Sequence, residues 1–421
     1  MCSHRSVILA LLALANLGAS QTQPPGQLAA AVRDVSVGPY HEDSGHVLNR
    51  VFRAIQVATV TPVRVGLALR DEHTAPAEFF VDGWVHETRE GRESDRASYG
   101  GDERQLVREG FDEDEAQQLV DDLAALGESE RAYLHARPAL AIYFQYDLLR
   151  MAQRLGDTKK NPKLIEHLVK AARWAALPAA AFAARKVATL TTILAATNQS
   201  SDNEAWRVGD AARFVEVERK STRLFDASRT LLWARVWLAH PRGGEALGTF
   251  VSAAREGKRV EVPLGFEAVL AQGIVAIDEL GQPRATDVVI DVRHQRLANR
   301  DALHVDNKTT SHDGVDFRVF FLERNALRLG DTSAFKEVAL DSAAVFRDYG
   351  SLKKTSYRAQ CTLCHRNTDT PEPQLGGFPL LRAHALPRLL DEDAQSVRTR
   401  LDLAEEQVKK LLQTLSTHAS K

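Results

Sequence analysis

Apolar residues recur every three to four positions along most of this chain and every second position along a few short stretches, and the two periods predict different elements. After His46, Val47, Leu48, Val51, Ile55 and Ala58 share one face at helical spacing, which predicts a short helix. The acidic run 112–115 precedes Leu119, Leu123 and Leu126 and is closed by Gly127. Carboxylates in a first turn are stabilised by the positive end of the helix dipole, so this run reads as a helix start with no catalytic part. Further helices are predicted over 137–155, over 163–196 with a break or kink at Pro178, and over 227–239. Their alanine content and apolar stripes predict a packed bundle, with Trp174, Trp233 and Trp237 in or against its core.

From about residue 260 the runs become short, β-branched and aromatic. Segments 266–270, 274–277, 287–292 and 316–322 are separated by Gly, Pro and Asp, and predict a small antiparallel sheet of about four strands. Residues 311–314 would form a turn between two of them. Helical signals return over 333–346 and 391–417. Earlier, a Gln-, Pro- and Gly-rich lead-in runs to about Pro39, and strand-like pieces appear at 78–82 and at Trp84-Val85. The pattern therefore gives a mainly α fold with a small antiparallel β region: an irregular N-terminal region 21–110, a helical domain 111–259, a β region 260–330 and a C-terminal region 331–421.

Composition changes this picture little. At 44% apolar and 26% charged residues with a formal net charge of −2, the chain has ordinary globular usage and room for two or three domains. Nothing in it points to nucleic acid or a membrane surface as a partner. Residues 1–20 read as a secretory signal: His4 and Arg5, an apolar run over 7–15, then Gly18, Ala19 and Ser20 before Gln21. That run is shorter than the ~20 residues a membrane span requires, and no later run approaches one. An exported mature chain without an integral membrane segment, most simply periplasmic, is expected. Cys2 falls in the leader, so Cys361 and Cys364 are the only cysteines beyond it, and no disulfide framework is expected.

Those two thiols stand in Cys361-Thr-Leu-Cys364-His365, the CxxCH pattern of covalent haem attachment. CxxC alone also serves dithiol redox sites and structural zinc. Zinc needs four ligands, and no second pair stands at ligand spacing; a thioredoxin-like motif should open a helix directly after a strand, whereas this one follows a predicted helix and a Lys-rich turn. On these residues the chain resembles the c-type cytochromes, strongly at the motif, over about 331–421, and not in the remainder. The resemblance implies one haem c held by thioethers from Cys361 and Cys364, with His365 as the proximal iron ligand in a cytochrome c-like helical haem region. It also implies a backbone carbonyl after the motif that fixes the other imidazole nitrogen. The run 376–381 has the matching look and points to Pro379, with Pro371 as runner-up.

The distal side departs from that family's usual pattern, in which a C-terminal methionine reaches iron. Beyond Met1 the chain has only Met151, which sits in a predicted core helix. The distal ligand stays open. His384 follows Pro379 so closely that one loop would serve both haem faces; His418 is three residues from the end, where fraying is expected; His294, His304 and His312 belong to the β region. Each reads first as an ordinary surface residue. Only 56 residues follow His365, so the haem pocket is expected to borrow the preceding elements. Arg347, Lys353, Lys354, Arg358 and Arg366 face one acid, Asp348, over 347–366. Such a basic stretch suits an acidic redox partner protein, although a solvated face is the commoner meaning. The chain carries no P-loop, Rossmann glycine motif or nucleophile elbow, and 41–46 has one residue too many for HExxH. Three functions remain: an electron-transfer cytochrome, a peroxidase-like enzyme, or a haem-based sensor or partner-binding protein.

Overall fold

The computed structural model describes residues 39–60, 77–80, 111–199, 210–218, 230–256, 258, 260, 262–298, 315–322, 324–333, 335–337, 343–348, 351–356, 388–389 and 394–419. Among them the order is α1 (Val47–Gln56), β1 (Val57–Val60), β2 (Ala77–Phe80), α2 (Glu113–Ala124), α3 (Glu128–His135), α4 (Pro138–Thr158), α5 (Pro162–Trp174), α6 (Ala179–Ala183) and α7 (Leu190–Gln199). Then come β3 (Phe214–Glu218), β4 (Leu232–Ala239), α8 (Gly244–Arg255), β5 (Glu267–Ile277), β6 (Pro283–Leu297), β7 (Val315–Leu322) and α9 (Arg324–Arg328). The chain continues through β8 (Phe335–Glu337), β9 (Ala343–Asp348), β10 (Ser351–Ser356), β11 (Arg388–Leu389) and α10 (Ala394–Ala419).

Several expected helices form for the expected reasons. In α1, Val47, Leu48, Val51 and Ile55 are buried on one side. Asp112 caps α2 by accepting from the Glu115 N–H at 2.8 Å, while the Glu115 carboxylate accepts from the Asp112 N–H, so two orphan donors of the first turn are satisfied reciprocally. Gly127, expected to close that helix, instead opens α3, its N–H donating to Glu130 at 2.9 Å. Helix α4 begins on Pro138, whose missing N–H costs nothing in a first turn, and is buried on almost every side. Helix α10 buries Leu401, Ala404, Val408, Leu412 and Leu415, three and four residues apart, against α4, α5 and β6.

The mainly α reading with a small β region is overturned. A seven-stranded antiparallel sheet in the order β11-β3-β4-β5-β6-β7-β8 forms one layer, and the helices other than α8 pack against one of its faces. Segment 227–239, expected as a helix, supplies β4, because Trp233, Arg235 and Trp237 line one face while Val236 and Leu238 line the other. A strand covered on both faces loses its alternation and reads as a continuous apolar run. The expected helix over 333–346 is replaced by β8 and the start of β9. The helix expected over 163–196 does break before Pro178, where the Leu177 backbone bridges Asp278 and accepts from the Glu279 N–H at 3.0 Å, and it breaks a second time after Ala183, giving three helices. Runs 266–270 and 274–277 belong to one strand, β5, interrupted by register shifts around Gly273. The turn expected at 311–314 and the piece Trp84-Val85 lie outside the described residues.

Helices and sheet share one apolar core that runs from Tyr40 to Leu415, so they are not laid out as a bundle beside a β region. Gln145 of α4 ties the two layers together: its Nε2 donates to the carbonyls of Ala172 and Ile277 and its Oε1 accepts from the Ile277 N–H at 2.6 Å. On the other face of the sheet α8 builds a smaller core with Leu247, Phe250 and Val251 against Val217, Val236, Leu238 and Ala268. At the irregularity in β5, a Cβ on Gly273 would sit 2.2 Å from the Trp233 ring, and that ring is pinned by its Nε1–H donating to the Thr286 carbonyl at 2.9 Å. Gly273→Ala is therefore expected to destabilise the fold by about 3 kcal/mol, the upper part of the usual overpacking range, measured as a lowered urea midpoint with unchanged slope.

Candidate functional site

Cys361, Cys364, His365, Pro371, Pro379, His384, His304, His312 and residues 1–20 lie outside the described residues. The fold nevertheless sets the two ends of the motif segment. Before it, β9 and β10 form a hairpin that carries Arg347, Lys353 and Lys354, with Asp348 opposite Ser351 at its tip. After it, Arg388 and Leu389 pair with Glu218 and Val217, which returns the chain to the edge of the large sheet before α10 begins. The helical haem region expected over 331–421 is thus entered from strands and left through one. Helices in this stretch are confined, among the described residues, to its last part.

Met151 lies in α4 at 2% exposure, packed in the main core as expected. His418 does not sit on a fraying end: α10 runs to Ala419, and the imidazole packs where α10 crosses α4, its Nδ1 3.2 Å from where a Cβ on Gly156 would stand. His294, read as a surface residue, is buried on the helix side of the sheet. Its Nε2 lies 2.8 Å from Glu267 Oε2, while Arg213 donates to Glu267 Oε1 at 2.5 Å. Beside them Arg235 grips Glu216 with two hydrogen bonds, at 2.9 and 2.6 Å, and stacks over the Trp237 ring. On β7 and β8, Arg318 does the same with Glu337.

Burial pushes the Glu267 carboxyl up, but the hydrogen bond and charge of His294 together with the Arg213 guanidinium outweigh it and hold the group below its ordinary value. This charged layer is internally paired, which suits fixing the register of the six strands β3 to β8 better than binding a substrate. Sequence reading missed it because its members are far apart in the chain. The available signal was a charged residue on the inward face of a strand, as with Arg235 between Trp233 and Trp237.

A second cluster sits at the start of the described chain. The His41 and His46 rings stack at 3.7 Å, their planes 12° apart, and each Nδ1 accepts a backbone N–H, from Asp43 and Leu48 respectively. Glu130 approaches His46 Nε2 at 3.6 Å, and Tyr133 donates to Glu42 at 3.3 Å. Burial lowers the His46 pKa, as does the neighbouring His41, against the carboxylates of Glu130 and Asp43. Asn49 holds this loop, accepting from the Tyr40 and His41 N–H groups and donating to the His41 and Asp43 carbonyls. The extra residue that spoils an HExxH helix here lets a tight loop bring the two rings face to face. Among the described residues no group of three or more His, Cys, Asp or Glu side chains is arranged to hold a metal ion, and no helix is long and apolar enough to cross a membrane.

No family model, no curated protein and no solved structure matches this chain.

Proposed function

We propose that this chain is an exported monohaem c-type cytochrome that transfers electrons, with Cys361 and Cys364 as the covalent anchors and His365 as the proximal ligand. The observation that carries the reading is CxxCH in a chain whose only other cysteine, Cys2, belongs to the leader-like segment. The donor set suits the group: two thiols three positions apart reach the two vinyl substituents of one porphyrin, and the next side chain supplies an imidazole beneath it. When bound, haem c supplies a one-electron iron couple. What the chain itself contributes is attachment, an axial nitrogen, a surrounding of chosen polarity, and a basic hairpin at Arg347, Lys353 and Lys354 for an acidic redox partner.

A second reading keeps the same haem but an open distal position, as in a peroxidase-like enzyme or a gas sensor. One observation favours it. Met151, the only methionine beyond Met1, is committed to the α4 core, so the usual sulfur ligand has no source. The experiment is to produce the protein in a host with a cytochrome c maturation system, extract it with acidified organic solvent, and record ferrous spectra with and without carbon monoxide. Haem is expected to stay with the polypeptide. Its complete passage into the solvent would refute covalent attachment. A low-spin spectrum indifferent to the gas supports electron transfer, and rapid gas binding supports the open-site reading.

A further inference from the structure

His46 stands directly before α1, and its Nδ1 accepts the N–H of Leu48, the second residue of that helix, at 3.3 Å. Its carbonyl accepts the Arg50 N–H at 3.0 Å, the first bond of the helical ladder. This is the position and the bond of an N-cap, a place ordinarily taken by Ser, Thr, Asp or Asn, whose oxygens accept throughout the neutral and mildly acid range. An imidazole nitrogen accepts only while it is unprotonated.

The hydrogen bonding also fixes where a second proton must go. With Nδ1 accepting, the neutral ring carries its proton on Nε2, the atom 3.6 Å from Glu130. Charging the ring therefore protonates Nδ1, which turns the cap's acceptor into a donor aimed at the Leu48 N–H and sets a positive charge on the positive end of the α1 dipole. His41 repeats the arrangement, since its Nδ1 accepts the Asp43 N–H at 3.1 Å and its ring stacks on that of His46 at 3.7 Å. A charge on either ring opposes a charge on the other.

The charges around the pair are mixed. Arg50 of α1 opposes an imidazolium at His46, although it is itself engaged by Asp122 of α2 and the Gly45 carbonyl. Glu130 of α3 and Asp43 of the loop favour one. Tyr133 of α3 lies with its ring 5.0 Å from His41 and donates to Glu42, which also faces Arg328 of α9 at 3.7 Å. Arg137, at the start of α4, sits over the Tyr133 ring at 4.0 Å. Burial and His41 outweigh the two carboxylates, so His46 binds its proton more weakly than an ordinary imidazole.

We propose that the His41–His46 pair is an acid-released clasp: neutral, it caps α1 and holds loop 41–46 against α3 and α9; protonated, it gives up the cap and loosens the loop. The opening is local. The Tyr40 hydroxyl donates to the buried Asp147 at 2.5 Å, and the Asn49 amide donates to the His41 and Asp43 carbonyls, so the chain stays anchored by bonds in which neither imidazole takes part. The sign follows from the weakened proton affinity. Stabilisation of the clasp is complete above the ordinary imidazole value and is lost as pH falls below it.

The test is hydrogen exchange of the full-length protein read by mass spectrometry at about pH 7.5 and about pH 5.5, corrected for the intrinsic exchange rate. Opening of peptides covering 41–50 is expected to rise severalfold at the lower pH, at most about tenfold for one unit below the imidazole value, while α4 peptides stay unchanged. His46→Asn and His46→Ser both keep an acceptor for the Leu48 N–H and titrate nothing, so either should remove the rise. An equal rise in the parent and these variants would overturn the clasp, as would no rise in the parent. Protection that increases in acid would also overturn it, because Glu130 would then be holding an imidazolium.

Discussion

Replacing both Cys361 and Cys364 by alanine is expected to yield a folded protein that retains no haem after acid–solvent extraction, a change from complete to zero retention. The thioethers are the only covalent links CxxCH provides, and no other cysteine beyond the leader-like segment could substitute. The fold should survive, because both apolar cores of the described residues are built from positions outside 351–387. His365→Ala should behave differently: haem remains attached, while the iron loses its proximal nitrogen and its spectrum moves to high spin. Circular dichroism and extraction on the same samples separate these outcomes. A double-alanine protein that still carries inextricable haem would end the reading, and so would a His365→Ala spectrum identical to the parent.

The motif stands out in the sequence because it is local: five consecutive residues bring two thiols and an imidazole together without any help from the fold. The fold was legible chiefly where burial was one-sided. Helices α1, α2 and α10 show clean stripes, and their extents were expected to within a few residues, since one face meets the core and the other meets water. Helix α4, buried almost all round, was legible from the length of its apolar run instead. Strand β4 defeats the same reasoning. With α8 on one side and the main core on the other, Leu232 to Ala239 has apolar residues at every phase except Arg235, so neither period stands out. Short edge elements fail for another cause: β8 and β11 have three and two residues, too few to show any period, and exist because a neighbouring strand offers unpaired N–H and C=O groups. Non-local chemistry was not legible at all. Glu267, His294 and Arg213 become neighbours only through the pairing of β5 with β6 and the turn into β3.

Glu267→Ala should therefore be among the most damaging substitutions away from the motif, costing about 3–5 kcal/mol, because it leaves the buried His294 and the half-buried Arg213 without their shared carboxylate. Glu267→Gln keeps the shape and one acceptor and should cost clearly less. Acid titration separates the charge from the shape. The folded Glu267 carboxyl ionises below its ordinary value, so the unfolded chain binds its proton first as pH falls. The stabilisation is fully present above about pH 4.5, declines as pH drops towards the folded pKa, and is gone below it. Urea unfolding of the parent should accordingly show stability falling through this window. Glu267→Gln, with no proton to gain there, should fall less steeply. Equal slopes for the two proteins would mean that the carboxylate is not held charged by His294 and Arg213. In that case the layer joining β3, β5 and β6 would owe its stability to packing alone.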